Sequence, residues 1–444
     1  MNVYDSNRMS DVLAPLGYKP VDTPEDADMV ILNTCHIREK ATDKVFSELG
    51  RLREHKTLKE EKGEKMVLAV AGCVAQAEGE FILQRAPYVD MVFGPQTFHE
   101  LPEMVAKATG AFGSARIVNT DLAVDSKFDA LPEETLSQGP SAFVSVQEGC
   151  DKFCTFCVVP YTRGAEYSRP VEQVLGEIRS LVNNGTREIM LLGQNVNAYH
   201  GEDKNGRTWG LGRLIRELAE LDGLERIRYT TSHPRDMDED LIQAHGDVEK
   251  LMPFLHLPVQ HGSDKMLKAM NRKHTADDYR RIIERLRDVR PDLAMSSDFI
   301  VGFPGETDED HRELLRLVED INYAMCYSFK YSPRPGTPGA KMGGIVPEKI
   351  KSERLQELQA LLNKQQIEFN QTMVGQTVPI LFDRKGSREG QLLGKTPHMQ
   401  STYVVANERL FGQTVDVEIE KAHPNGLSGS IITTETTTKE RDAA

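Results

Sequence analysis

The chain has 444 residues, of which 39% are hydrophobic and 27% are charged, and this length predicts about three domains. It contains no apolar run of about 20 residues and does not start with a secretory pattern, so we expect a cytoplasmic protein that neither spans a membrane nor is secreted. Six cysteines cannot form a dense disulfide framework, and a net charge of −14 counts against a nucleic-acid partner without excluding one.

The first part of the chain, residues 1–130, alternates short apolar runs with amphipathic stretches. The predicted strands are 29–32, 66–71 and 91–93, and the predicted helices are 40–59 and 75–85. This alternation is typical of a parallel α/β sheet, so we expect a Rossmann-like N-terminal domain. Residues 121–140 are acidic, contain proline and glycine and lack periodicity, which predicts a linker.

The middle of the chain, residues 136–373, repeats the alternation with longer spacing. The predicted strands are 142–147, 188–192, 226–231, 254–259, 295–301 and 327–331. The predicted helices between them are 171–183, 211–220, 276–289 and 308–320. Six strand-helix units predict a partial (β/α)6 barrel, and chemistry is expected at the carboxyl ends of its strands.

The last part of the chain, residues 374–438, follows a polar helix that begins after Pro347. Its predicted strands are short and separated by turn residues, at 377–382, 391–394, 401–405 and 414–419. This spacing is typical of a small all-β barrel. The threonine-rich tail 433–444 is expected to be disordered.

Three cysteines form a CxxxCxxC pattern, Cys150, Cys154 and Cys157, directly after the first strand of the middle domain. Three thiolates at this spacing can reach one small metal centre, and they leave one coordination position open. A structural zinc site would normally have a fourth protein ligand, and none follows at a suitable spacing. The pattern therefore favours a [4Fe–4S] cluster that binds a small chelating molecule, with a structural zinc loop as the alternative.

This cysteine loop resembles the signature of the radical S-adenosylmethionine (SAM) superfamily, and other stretches resemble its methylthiotransferases. The stretches that carry the resemblance are 150–170, 191–199, 255–264, 296–306 and 329–337. They extend over nearly the whole chain. The resemblance implies an N-terminal methylthiotransferase domain, a radical SAM domain and a C-terminal TRAM domain, which is an RNA-binding β-barrel.

The resemblance implies that SAM is the cofactor and that a bound tRNA receives a methylthio group. Residues 161–166 and 194–199 are most similar to the branch that acts on isopentenyladenosine next to the anticodon. In that branch two SAM molecules are used, one for the radical and one for the methyl group on a cluster-bound sulfur. An electron donor such as a flavodoxin or ferredoxin and a sulfur donor are implied as partners, and we expect a monomer.

Cys35 and Cys73 each follow a predicted strand and open a helix, where a helix N-terminus favours a thiolate. Without the resemblance, two such cysteines are more often buried small residues. The family implies that these positions hold a second [4Fe–4S] cluster. The family's first strand and its third cysteine are absent, so this cluster is in doubt, and we expect a start codon assigned too late, at an internal Met, or a truncated chain. A further possibility is a catalytically impaired chain that cleaves SAM without inserting sulfur.

Candidate SAM contacts are Gly193, Gln194, Ser232 and Gln260, which follow the second, third and fourth barrel strands. Each could instead be an ordinary turn or capping residue. No catalytic acid or base is assigned. Candidate RNA contacts are Arg163, Arg169 and Arg334 near the barrel mouth and Arg384, Lys385, Arg388 and Lys395 in the last domain, with solvated surface as the alternative. Cys326 is expected to be a core residue of the last barrel strand.

Two groups of rival functions remain. The same chemistry could act on threonylcarbamoyladenosine of tRNA or on an aspartate of a ribosomal protein. A chain whose cysteine loop held zinc would instead be a non-catalytic, metal-bound RNA-binding protein.

Overall fold

The computed structural model describes residues 1–35, 41–110, 116–122, 127–132, 135 and 138–432. The tail 433–444, which was expected to be disordered, lies outside the described residues. Within them, no helix combines the length and the apolar character that crossing a membrane requires.

The N-terminal domain is a four-stranded parallel sheet with helices on both faces. Its elements are α1 (Asn2–Leu13), β1 (Met29–Thr34), α2 (Ala41–Glu61), β2 (Val67–Gly72), α3 (Cys73–Glu78), α4 (Glu80–Arg85), β3 (Met91–Phe93), α5 (Leu101–Ala108) and β4 (Ile117–Asn119). The strands pair in the order β1-β2-β3-β4, all parallel. Apolar residues of α1 and α5 pack on one face of the sheet, and those of α2 to α4 pack on the other. The predicted Rossmann-like domain is confirmed.

Three details of this half differ from the sequence-based expectation. The single helix predicted over 75–85 is two helices, because Gly79 adopts a φ of 47° between α3 and α4. Helix α1 was not predicted, and its inward face carries Asp5 and Arg8 as well as apolar residues. The predicted linker also has ordered structure, since Lys127 and Phe128 are buried in a short 3₁₀ turn.

The middle domain is the predicted partial barrel. Its six strands are β5 (Ser141–Ser145), β8 (Glu188–Leu192), β11 (Arg226–Thr230), β12 (Phe254–His256), β13 (Ala294–Val301) and β14 (Met325–Lys330). Two parallel three-stranded sheets, β5-β8-β11 and β12-β13-β14, are joined by a parallel bridge between Ile227 and Leu251. The carboxyl ends of all six strands therefore meet at one mouth.

The remaining elements of this domain cover the barrel or extend its loops. The helices are α6 (Val159–Thr162), α7 (Val171–Asn183), α8 (Leu211–Ala219), α9 (Glu239–Asp247), α10 (Asp264–Ala269), α11 (Ala276–Val289), α12 (Asp308–Ile321) and α13 (Glu348–Gln371). Two short hairpins are formed by β6 (Gln147–Glu148) with β7 (Tyr167–Ser168) and by β9 (His200–Glu202) with β10 (Thr208–Gly210).

Alternation along the barrel strands separates an outer face from an inner face. In β13, Phe299 and Val301 point outward into the large core between the strands and the helices. Cys326 of β14 packs against the same core, as expected from the sequence. The inner face consequently carries the other residues of each strand, including Asp298 and Ile300 of β13.

The C-terminal domain is a closed five-stranded barrel. Its strands are β15 (Thr377–Lys385), β16 (Gln391–Lys395), β17 (Ser401–Val405), β18 (Thr414–His423) and β19 (Gly426–Ile431), and they pair in the order β15-β16-β17-β19-β18. The last strand was not predicted. The small barrel packs against the amino ends of the middle strands, where the buried Arg228 donates to the carbonyls of Thr396 and Pro397 at 2.8 and 2.7 Å.

Candidate metal centre

The three cysteines of the CxxxCxxC pattern lie on one loop between β6 and α6, at the mouth of the partial barrel. Gly149 begins this loop with a φ of +71°, and a Cβ there would lie 1.9 Å from the Ala165 carbonyl oxygen. Only glycine fits this approach, because any side chain would collide with backbone. The tight turn directs Cys150, Cys154 and Cys157 toward one another, so that each thiolate charge would act on its neighbours.

Side chains from two neighbouring strand ends support the loop. The Gln194 side-chain oxygen accepts from the Gly149 amide at 2.7 Å. The side-chain Nε2 of Gln147 donates to the Gly149 carbonyl at 2.7 Å, and the side-chain Oε1 of Gln147 accepts from the backbone N–H of Asn195 at 3.0 Å. Because these bonds fix the backbone before the first cysteine, the loop conformation does not depend on the thiols alone.

A second set of contacts holds the far side of the loop. Asn271 donates to the carbonyl of Phe153 at 2.9 Å, and the Thr155 hydroxyl donates to Ala269 at 2.9 Å. Lys152 forms an ion pair of 2.8 Å with Asp236, which follows β11. The loop is therefore tied to segments that follow different barrel strands.

One buried cation faces the cysteines. Arg272 is 5% exposed, and its Nη1 donates to the Cys154 Sγ at 3.4 Å. Its Nε lacks a hydrogen-bond partner in this structure. A guanidinium aimed at a sulfur stabilises negative charge there, whether that charge belongs to a thiolate or to a sulfide of a cluster.

Burial raises the pKa of Cys150 to about 11 and that of Cys157 to about 12. Bare thiols here would keep their protons at neutral pH, so a metal cation is needed to displace them. Across the described residues, no three His, Cys, Asp or Glu side chains are arranged to hold a single metal ion. Three neighbouring thiols with a cationic donor fit a [4Fe–4S] cluster better than a closed zinc site, which needs a fourth ligand at short range.

The barrel mouth next to the loop contains several buried polar atoms without a hydrogen-bond partner. They are Asn195 Oδ1, Ser232 Oγ, His233 Nε2, Arg272 Nε and His274 Nε2. Native proteins rarely leave such groups unpaired, because each costs free energy when it is buried. Their concentration along the ends of the second, third and fourth strands fits a polar ligand such as SAM at this mouth.

The four SAM-contact candidates lie at these strand ends but in different roles. Ser232 has a buried, unpartnered hydroxyl. Gln194 supports the cysteine loop through its side chain, and a Cβ on Gly193 would approach the Gln147 oxygen to 2.5 Å. Gln260 adopts a φ of 77°, and its backbone pairs with β13. The unpartnered hydroxyl makes Ser232 the strongest of the four candidates, and direct SAM binding by all four stays a prediction.

Cys35 and Cys73 follow adjacent strand ends in the N-terminal sheet. Thr34 of β1 and Gly72 of β2 are partners in the parallel register, so the cysteine that follows each strand emerges at the same sheet edge. Cys35 is exposed and Cys73 is half-buried at the first position of α3. The segment 36–40 after Cys35 lies outside the described residues.

A buried charge network connects the two cysteine sites. Arg163, close after Cys157 in sequence, forms ion pairs with Asp5 of α1 at 2.7 Å and with Glu148 at 3.2 Å. Lys127 pairs with the same Glu148 oxygen at 2.7 Å, and all four side chains are at most 4% exposed. A thiolate at Cys73 would add to the raised pKa of Arg163, which Asp5 and Glu148 mainly cause, so this guanidinium lies within electrostatic range of the N-terminal site.

The prediction that Arg163 and Arg169 contact RNA is wrong for their guanidinium groups. Both are 4% exposed, and Arg169 pairs with Glu177 at 2.7 Å. In the sequence these arginines looked like surface cations, since their acidic partners lie on other elements. Arg384, Lys385 and Arg388 are exposed, and Lys395 is partly buried, so RNA contact by this second group stays a prediction.

Four residues of the site were not predicted from the sequence: Arg272, Asp5, Lys127 and Glu148. Arg272 carried no motif signal, because its neighbours are ordinary turn residues. The charges of the other three were a weak signal. Glu148 lies beside the cysteine loop and Lys127 lies in the proline-containing segment, and such charged residues can form buried ion pairs when the chain folds.

Comparisons with known proteins assign all three parts of the chain. Residues 144–318 match the Radical SAM superfamily, residues 1–94 match the Uncharacterized protein family UPF0004, and residues 371–432 match the TRAM domain. A curated relative from Maricaulis maris (strain MCS10), a tRNA-2-methylthio-N(6)-dimethylallyladenosine synthase, is 60% identical over 437 residues. The match covers 97% of this chain and 95% of the relative.

Solved structures share the fold at low identity. The radical S-adenosylmethionine methyltransferase TsrM from Kitasatospora setae, with tryptophan substrate and a SAM analogue bound, has a TM-score of 0.57 and 14% identity over 76% of this chain and 72% of its own. The same enzyme with cobalamin and a [4Fe-4S] cluster bound has a TM-score of 0.56 and 13% identity over 88% of this chain and 74% of its own. At this level of identity the likeness establishes a common architecture.

Proposed function

The chain belongs to the tRNA-2-methylthio-N(6)-dimethylallyladenosine synthases, a family of radical SAM methylthiotransferases, and we propose that it carries out their reaction. The substrate is then N(6)-dimethylallyladenosine of tRNA, the isopentenyladenosine expected from the sequence. The product is its 2-methylthio derivative. The family assignment does not favour the rival substrates or a non-catalytic zinc protein.

The observation that carries the proposal is the three-cysteine loop at the barrel mouth, with Arg272 donating to Cys154. When bound there, a [4Fe–4S] cluster with SAM supplies one-electron chemistry that breaks an unactivated C–H bond. Cys150, Cys154 and Cys157 would hold the cluster, and the unpartnered atoms of Ser232 and Asn195 would orient SAM. The chain's own contribution is to position these groups and to exclude water.

The proposal also includes a second cluster, which fewer observations support. Cys35 and Cys73 emerge at one sheet edge, and Arg163, which follows the cysteine loop in sequence, lies within electrostatic range of Cys73. These two thiols would hold part of a cluster that supplies the inserted sulfur. A second SAM would supply the methyl group of the product.

The partners follow from the same proposal. The exposed Arg384, Lys385 and Arg388 of the C-terminal barrel would contact the phosphates of the anticodon arm. A flavodoxin- or ferredoxin-like protein would supply electrons, and a separate donor would replace the consumed sulfur. We expect the reaction in the cytosol, with one chain per tRNA.

The test is nucleoside mass spectrometry of tRNA from a bacterial strain that lacks its own enzyme and expresses this chain. Appearance of 2-methylthio-N(6)-dimethylallyladenosine would support the activity and the substrate together. Persistence of N(6)-dimethylallyladenosine alone, in cells where the purified chain carries its radical-site iron, would contradict the proposed reaction for this chain. A threonylcarbamoyl-derived product would identify the rival tRNA substrate.

A further inference from the structure

The inner face of the last barrel strand carries exposed aromatic rings. Tyr327 is 45% exposed and Phe329 is 36% exposed, although both lie on β14 inside the partial barrel. In the register, Tyr327 is the partner of Asp298 and Phe329 is the partner of Ile300, which are inner-facing residues of β13. Partners in parallel strands point to the same side, so both rings face the interior of the barrel.

These rings continue toward the cysteine loop. Tyr331 follows β14 on the same face and belongs to a hydrophobic cluster against which Phe156, between Cys154 and Cys157, and Ile300 also pack. The chain rises by about 3.3 Å per strand residue, so Phe329 lies about 7 Å along the strand from Tyr331. The aromatic surface therefore begins next to the expected radical site and extends down one wall.

The opposite wall of the barrel is covered. The inner residues Met190 and Leu192 of β8 are buried against Tyr4 and Met1 of the N-terminal segment. Lower on the exposed wall, Met325 packs with Phe254 and with Met399 of the C-terminal barrel. Among the described residues of this inner surface, Tyr327 and Phe329 are thus the aromatic side chains with a large exposed fraction.

Polar groups border the rings. The His256 ring makes an edge contact with Tyr327 at a centroid distance of 6.1 Å, and its Nε2 lies 3.6 Å from an Asp298 carboxylate oxygen. An aromatic face edged by an imidazole and a carboxylate suits a planar, heteroatom-rich ligand better than it suits a lipid chain. Unpaired RNA bases are commonly bound by stacking on such side chains, with hydrogen bonds at their edges.

We infer that Tyr327 and Phe329 form a stacking platform for an unpaired base of the RNA substrate, at or beside the adenine that reacts. This inference rests on the proposed function, and it names two residues that determine RNA binding in the barrel. The platform holds the base within reach of the cysteine loop. The His256–Asp298 pair lies at the edge of that base.

The experiment measures the Kd of the full-length chain for a labelled anticodon stem-loop that contains N(6)-dimethylallyladenosine. Tyr327→Ala and Phe329→Ala should each weaken binding about tenfold, the usual effect of removing one base-stacking ring, while Tyr327→Phe should keep the affinity. Phe81→Ala removes a ring that is 47% exposed on α4 of the N-terminal domain and is the matched control. An unchanged Kd in the double alanine variant, or an equal loss in the control, would overturn the platform.

A second measurement locates the base directly. A stem-loop with 8-azidoadenosine at the reacting position should crosslink on irradiation to the peptide that contains residues 325–330. A crosslink confined to another peptide would overturn the platform. A chain that crosslinks there but forms no methylthio product would contradict the proposed function alone, whereas failure of the wild-type chain to bind the stem-loop would overturn both.

Discussion

The guanidinium of Arg163 donates to the carboxylate of Asp5 at 2.7 Å, although 158 residues separate them in the chain. Arg163 belongs to the segment directly after the cysteine loop, and Asp5 belongs to the first helix of the N-terminal domain. Because neither side chain is more than 4% exposed, the pair fixes the N-terminal domain against the barrel mouth at the place where the two cysteine sites approach each other.

Replacing this arginine should loosen that arrangement. Arg163→Gln would remove the guanidinium that the buried Asp5 and Glu148 share and leave Lys127 as their ion-pair partner among the described side chains. Breaking a buried pair in this way costs about 3–5 kcal/mol. We expect faster proteolytic separation of the N-terminal domain from the barrel and a lower urea midpoint. Arg312→Gln, which breaks an exposed pair with Glu309 on α12, should leave both unchanged and is the control.

The backbone turn before the first cysteine gives a second prediction. Gly149→Ala places a Cβ 1.9 Å from the Ala165 carbonyl oxygen at a φ of +71°, so the loop must move. We expect this variant to fold with the cysteines misplaced and to retain less iron after anaerobic reconstitution. Gly176→Ala is the matched control, because Gly176 is exposed within α7 and has nothing within 4 Å of the added carbon.

The control variant has an expected effect of its own. An alanine in a helix interior loses less backbone entropy on folding than a glycine does, so Gly176→Ala should stabilise the chain by about 0.5–1 kcal/mol. Its iron content should equal that of the wild type. Equal iron retention in the Gly149→Ala variant would show that the turn does not position the cysteines.

A buried histidine makes stability depend on pH. His245 accepts or donates a hydrogen bond with the Tyr229 hydroxyl at 2.6 Å, and burial lowers the pKa of His245 to about 3. In the unfolded chain His245 takes up a proton near pH 6.5, whereas in the folded chain it stays neutral. The contribution of His245 to the free energy of unfolding is therefore intact above that pH and is lost as the pH falls below it. The loss between pH 7.5 and pH 5.5 is about 1.4 kcal/mol for this one group.

Denaturant unfolding at the two pH values checks this prediction. His245→Gln should reduce the difference between the two unfolding free energies by about 1.4 kcal/mol, whatever its effect at neutral pH. Tyr229→Phe keeps the histidine buried and should retain most of the difference. A His245→Gln chain with the wild-type pH dependence would contradict the assignment.

The barrel strands were predictable from sequence to within a few residues, because each combines an apolar run with flanking turn signals. Helix α1 was not predictable in this way. Its inward face includes Asp5, Arg8 and Asp11. Arg8 and Asp11 pair within the helix, but Asp5 is paired by Arg163, and Arg8 also donates to the Pro132 carbonyl, and these partners come from distant parts of the chain. Strand β19 carries two glycines and forms by pairing with β17 and β18, a tertiary effect that local pattern does not encode.

In the candidate site, too, some residues were predictable from the sequence and others were not. Cys150, Cys154 and Cys157 were identifiable because their spacing alone restricts the chemistry. Arg272, which donates to Cys154, comes 118 residues later and has no motif around it. For the same reason the assignment of Arg163 and Arg169 to RNA contacts was wrong. The sequence shows a positive charge but does not show which carboxylate the fold places beside it.

Iron analysis separates the cysteine roles. After anaerobic reconstitution, Cys154→Ala should lose about four iron atoms per chain together with their acid-labile sulfide, because two thiolates cannot retain the radical-site cluster. Cys326→Ala is the matched control: its thiol packs against the outer core of β14, so its iron content should equal that of the wild type. Cys73→Ala should keep the radical-site iron, because Cys73 lies at the N-terminal sheet edge and not on the cysteine loop. Zinc in place of iron in the wild-type chain would contradict the cluster assignment, because a zinc loop cannot supply one-electron chemistry to SAM.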